Sequence, residues 1–170
     1  FNSSYFLTDI VPPTTTKSIG YPQYANGTWV TSFTPFNLTA FDNISGVNAT
    51  YYRIWYNGAW TPWTLYTGNF TLTGECKHYL EFYSVDNAGN AEAVHNQTHY
   101  VDDTPPQSTF EFGPYYINGT GIKWITYTTP IYINATDGNI CSVGKYTLHY
   151  RIWNGTWTPW LNSSENLVFN

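Results

Sequence analysis

YRIWYNGAWTPW at residues 52–63 returns as YRIWNGTWTPW at residues 150–160, one residue shorter at the turn. In both copies Asn-Gly separates two aromatic runs. That is the strongest short-range hairpin signal, because a type I′ turn needs positive φ at both central residues. Outward from this stretch the repetition continues. TDIVPPTTT at 8–16 matches VDDTPPQST at 101–109, and TPFNLTAFD at 34–42 matches TPIYINATD at 129–137. The offset drifts from 93 to 98 residues, a period near the length of one β-sandwich domain.

Within a repeat the apolar residues alternate with period two, the mark of a half-buried strand. Phe36, Leu38 and Ala40 share one face against Asn37 and Thr39; Phe70 and Leu72 oppose Asn69 and Thr71. Leu80, Phe82 and Ser84 oppose Tyr79, Glu81 and Tyr83. DNAGN at 86–90 reads as a tight turn, and no stretch keeps a 3.6-residue apolar period. The pattern predicts an all-β chain of about seven short strands per repeat, arranged as Greek-key sandwiches. Phe36, Leu38, Ile54, Phe70, Leu72, Leu80 and Phe82 are the expected first core.

The expected organisation is residues 1–9 as an orphan last strand, 10–103 as the first sandwich and 104–170 as a second that lacks its final strands. Pro12-Pro13 and Pro105-Pro106 stiffen the junctions by fixing φ and removing donors. Residues 1–8 are similar to the end of the first repeat around His99 and Val101. Phe1, Tyr5 and Leu7 are therefore expected to complete a preceding sandwich, either in a neighbouring copy by strand donation or in a longer repeat array.

Composition narrows the function. Charged residues are 10% of the chain, well below the roughly 25% of ordinary domains, while aromatics reach 20%. Six Lys plus Arg give nucleic acid nothing to bind, and no apolar run is long enough to span a bilayer. Eleven of the seventeen asparagines open an N-x-S/T sequon: Asn2, Asn26, Asn37, Asn43, Asn48, Asn69, Asn96, Asn118, Asn134, Asn154 and Asn162. Composition alone gives roughly four, so the excess points to N-glycosylation and an extracellular or cell-surface location. Beginning at Phe1, the chain reads as a mature or excised segment.

FDNISGVNATYYRIW, GECKHYLEFYSVDNAGNAE and YVDDTPP resemble the tandem immunoglobulin-like repeats of archaeal and bacterial surface proteins. The likeness covers the first repeat and the front two-thirds of the second, where TDGNICSVG departs from the pattern. It implies a structural subunit of an S-layer, extracellular filament or adhesin stalk rather than an enzyme, with copies of itself or further repeats as partners. The alternative is a carbohydrate-binding or spacer module of a secreted enzyme.

Few residues offer chemistry. His78, His95, His99 and His149 read as ordinary surface histidines, with His95 and His99 on one strand face as a weak metal pair. Trp55, Trp60 and Trp63, matched by Trp153, Trp157 and Trp160, are expected chiefly as core or interdomain packing, or else as rings that stack on sugars, on a partner or on the chain's own glycans. Cys76 and Cys141 should be oxidised, either to each other or with Cys141 pairing with a GEC equivalent in the remaining end of the second repeat. Glu75, Asp102, Asp103 and Asp137 are the candidate ligands of a calcium ion at the junction, against the simpler reading of Asp as a turn former.

Overall fold

The computed structural model describes residues 7–138, 141–144 and 146–169. The described residues form strands and turns with no helix, and the chain divides into two compact units, Phe1–Asp103 and Thr104–Asn170.

The first unit contains β1 (Thr14–Ile19), β2 (Gln23–Tyr24), β3 (Trp29–Val30), β4 (Phe36–Phe41), β5 (Val47–Tyr56), β6 (Ala59–Trp60), β7 (Thr64–Leu65), β8 (Cys76–Asp86) and β9 (His95–Val101). Strands β1 and β4 pair antiparallel, and Phe36 extends that small sheet by a bridge to Phe70. The large sheet runs β2-β3-β9-β8-β5-β6, with β7 also on β5, and its β3–β9 pair is parallel. Strand β8 sits centrally, in register with β5 (Leu80 opposite Ile54) and β9 (Leu80 opposite Gln97).

The core lies between these two sheets. Val30, Phe36, Leu38, Leu72, Leu80, Phe82 and Val101 are buried together, and Ile54 and Phe70 pack against them. All seven residues expected from alternation are thus in the core or against it. Polar closure adds to this packing: Thr15 and Thr50 both hydrogen-bond Ser84, at 2.6 and 2.7 Å, and the Thr15 and Ser84 amides donate to Glu92. These buried hydroxyls of Thr15 and Ser84 thus keep partners, as desolvation requires.

The first unit's turns follow their sequences, whereas at Asn154-Gly155 only Gly155 has positive φ and Trp153 bridges Trp157 across three residues, which is not a two-residue type I′ turn. Asn57 and Gly58 take φ of 50° and 89°, and Trp55 faces Trp60 across the hairpin as a type I′ turn demands. Asp86 accepts from both the amide and the side chain of Asn90, which closes the DNAGN turn.

The second unit contains β10 (Gln107–Phe112), β11 (Tyr116–Ile117), β12 (Lys123–Trp124), β13 (Ile131–Thr136), β14 (Leu148–Tyr150), β15 (Leu161–Ser163) and β16 (Leu167–Phe169). Its sheets are β10-β13-β16, β11-β12 and β14-β15. The repeat reaches the level of single hydrogen bonds. Gly20 N–H donates to Pro35 C=O at 2.8 Å, and Gly113 to Pro130 at 2.7 Å. The Thr31 amide donates to the Thr34 hydroxyl at 3.0 Å, and Thr126 to Thr129 at the same distance.

Candidate functional site

Because side chains alternate along a strand, the face of the large sheet opposite the core is set by the same phase as the core. Tyr79, Glu81 and Tyr83 on β8, Tyr51, Arg53 and Trp55 on β5, and Asn96, Thr98 and Tyr100 on β9 share it. One polar row crosses its middle in register, Asn96–Glu81–Arg53. Asn96 Nδ2 donates to Glu81 Oε1 at 2.9 Å, and Arg53 Nη2 meets Glu81 Oε2 at 2.6 Å. The guanidinium lies over Trp60 and Trp63, 4.5 and 4.6 Å from the ring centroids. Aromatic pairs flank the row: Tyr51–Tyr83 at 5.5 Å, Trp63–Tyr83 at 4.8 Å and Trp55–Tyr79 at 5.1 Å. A cation between two indole faces, with its carboxylate partner in register, holds its rings in fixed orientation.

The second unit rebuilds the same cluster from its own copy of the motif. Arg151 lies over Trp157 at 4.2 Å and Trp160 at 4.9 Å, and Trp153 is 5.3 Å from Trp157. Here Trp153, Trp157 and Trp160 are 58%, 53% and 63% exposed.

The tryptophans therefore correct the expectation of core packing. Tyr52 and Ile54 take the inward phase of β5, so Trp55 faces out, and Trp60 and Trp63 stack on Arg53 rather than plugging the interior. Arg53, Glu81 and Asn96 escaped the sequence reading as a group. The repeated Arg two residues before each first Trp was the available signal.

Two of the histidines also overturn their expectation as surface residues. His78 is fully buried, bonded to the Cys76 and Thr73 carbonyls at 3.1 and 3.0 Å and stacked on Tyr56. His99 is 4% exposed, edge-on to Phe36 at 4.9 Å. Its Nδ1 lies 2.6 Å from the Gly27 carbonyl, which can only accept, so Nδ1 carries the proton. Nε2 then accepts from the Lys17 ammonium at 2.6 Å. Burial, then the Lys17 charge, pushes His99 down to about 4, and burial lowers Lys17 to about 8.

A histidine held neutral stabilises the fold above its ordinary value of about 6.5 and loses that stability as pH falls toward 4. Denaturant unfolding should thus show a loss of about 2–3 kcal/mol between pH 7 and pH 4 that His99→Gln lacks. Equal pH slopes in the two proteins would refute this assignment. His95 stacks on Phe82 and meets Glu92 at 3.1 Å, while His149 is exposed.

The proposed calcium residues sit as follows. Glu75 Oε1 accepts from the Asp103 amide, Asp103 Oδ1 accepts from Ser32, and Asp137 Oδ2 accepts from Gly144. Asp102 N–H donates to Val30 C=O. Among the described residues the acidic groups that converge are Asp9, Asp42 and Asp86, with carboxylate oxygens within 4.8 Å of one another. Asp42 lies in FDNISGV and Asp86 in VDNAGN, and Asp9 lies in TDIVPP, the first-repeat counterpart of VDDTPP. Backbone amides occupy these oxygens. Ser45 and Val11 donate to Asp9, Ile44 and Gly46 to Asp42, and Asn90 to Asp86. Hydrogen bonds from Ser45 and Val11 hold Asp9 below the usual carboxylate range.

Both Cys76 and Cys141 are disulfide-bonded, and no thiol is free. Of the sequon asparagines, Asn26, Asn37, Asn43, Asn48, Asn69, Asn96, Asn154 and Asn162 are exposed, and Asn118 and Asn134 are half-buried. Asn2, Phe1 and Tyr5 lie outside the described residues, whereas Leu7 is exposed. Comparisons with protein families, with curated proteins and with solved structures find no match for this chain.

Proposed function

We propose that this chain is part of a secreted, N-glycosylated structural protein built from tandem immunoglobulin-like repeats. It serves in an extracellular filament, S-layer or adhesin stalk rather than as an enzyme. The observation that carries the reading is the placement of the sequons. Eight of the ten described sequon asparagines are exposed and the other two, Asn118 and Asn134, are half-buried, across both repeats, on a surface with few charges. Glycans at those sites supply the polarity that Lys and Glu provide elsewhere.

The repeat order supports a head-to-tail arrangement. Residues 1–8 are similar to β9, the last strand of the first unit, and such a strand can complete a sandwich in a second copy or in a longer repeat array. A strand added to a sheet edge satisfies its backbone groups and joins subunits in an open chain.

Protein isolated from its own organism tests the reading. The mass of the fragment spanning these 170 residues should exceed the bare 19.5 kDa by many glycan units, with most of the eleven sequons occupied. A mass equal to the polypeptide would end the glycoprotein reading.

The second reading, a carbohydrate-binding module of a secreted enzyme, draws on the exposed tryptophans of both units. Sugar binding in trans would favour it.

A further inference from the structure

We propose that the N-linked glycan on Asn96 lies down on the aromatic–arginine face of the first unit and forms part of its folded structure. This rests on the glycosylation reading above. Most sequons here project from turns or edges, but Asn96 differs. It sits in β9, next to the central strand β8 and opposite Glu81, on the side away from the core. Its Nδ2, the atom that would carry the sugar, already points along the sheet to Glu81 Oε1 at 2.9 Å. The sequon hydroxyl, Thr98, stands opposite Tyr79 on the same side.

From that nitrogen a sugar chain has one obvious floor. Strands are about 4.8 Å apart, so each step of one strand is roughly the width of a sugar ring. The first residue covers Glu81 between Tyr79 and Tyr83, and the next reaches Arg53 with Trp60 and Trp63. The C–H faces of a pyranose are apolar and weakly positive, complementary to the negative faces of aromatic rings. Its hydroxyls meet Glu81 and Arg53, an acceptor and a donor held in place by their own pairing at 2.6 Å. Arg53 and Glu81 keep 31% and 14% of their side-chain surface accessible, so the row is wetted and within reach. Fixed rings lose little entropy when a ligand settles on them, which favours a tethered sugar at high effective concentration.

The second unit repeats the juxtaposition independently. The sequon residue Asn162 pairs with His149, two positions before Arg151 of the Arg151–Trp157–Trp160 cluster. A sequon thus lies on a strand beside each arginine–tryptophan cluster.

The test uses the full chain, glycosylated, as wild type and as Thr98→Val and Asn69→Gln. Thr98→Val abolishes the sequon while keeping Asn96, its bond to Glu81 and a β-branched shape in the strand; Asn69→Gln removes a glycan from an exposed loop elsewhere. Site-resolved mass spectrometry reports occupancy, and hydroxyl-radical footprinting reports the accessibility of Trp60, Trp63 and Tyr83. Enzymatic removal of the glycan from folded wild type gives the same comparison should Thr98→Val fold poorly. The expected result is an occupied Asn96 with these three rings protected, and loss of that protection in Thr98→Val but not in Asn69→Gln. The melting temperature should fall by about 4 °C or more in Thr98→Val alone. An unoccupied Asn96 overturns this proposal together with the glycosylation of that site. An occupied Asn96 with unchanged footprints overturns the docked glycan and leaves glycosylation standing.

Discussion

Phe82→Ala lowers the stability of the first unit by about 3–5 kcal/mol, the range for deleting a buried aromatic and leaving its cavity. Phe82 is 1% exposed at the centre of the cluster with Phe36, Leu38 and Leu80, and its ring stacks on His95 at 4.8 Å. Urea unfolding should move to a lower midpoint with an unchanged slope, because the exposed surface on unfolding hardly changes. The adjacent Tyr83→Ala provides the contrast. It removes ring contacts to Tyr51 and Trp63 on the outer face, and costs about 1 kcal/mol. Equal losses at the two positions would mean that the strand faces are inverted, since one step along a strand exchanges them.

Gly74→Ala should cost about 2–3 kcal/mol, through two separable effects. Gly74 has φ of +94°, where an L side chain adds about 1 kcal/mol of strain. A Cβ there would also stand 2.5 Å from the Tyr56 ring and hydroxyl. Tyr56 would have to leave its stack on buried His78, whose centroid is 4.4 Å away. In a Tyr56→Ala background the clash disappears, so Gly74→Ala should then cost only the backbone strain, about 1 kcal/mol. A full-size loss in that background would show that the tyrosine is not the obstacle.

How far the sequence could be read depended on the range of the physics involved. The Asn57-Gly58 hairpin, the Asp86–Asn90 turn and the facing of β8 follow from residues within a few positions of one another. Those features appear in the structure as the alternation implied. Ile54 is inward by the same alternation and Tyr52 packs beside it, yet the size of Trp55, Trp60 and Trp63 by itself suggests packing for them. Size measures how much apolar surface a residue offers, while strand phase decides where it goes, and Arg53 gives the outer rings a partner there. His99 departs from a surface position for a related reason. Imidazole is polar enough to stay at the surface unless acceptors and donors meet it inside, and Gly27 and Lys17 do so from distant positions.

The acidic residues show the same division within one motif set. Asp86 opens the DNAGN turn legible in the sequence, and it and Asp42 each accept amides a few residues away. Their approach to Asp9 depends on three loops closing at one end of the first unit. Local periodicity and turn chemistry therefore settled strands, faces, hairpins and the repeat, because those are governed by φ preference and side-chain alternation between near neighbours. The cross-strand row Asn96–Glu81–Arg53, the inward histidines and the Asp9–Asp42–Asp86 cluster were decided by strand order and register. These depend on which distant segments share the core, and periodicity along a single strand carries no information about its neighbours.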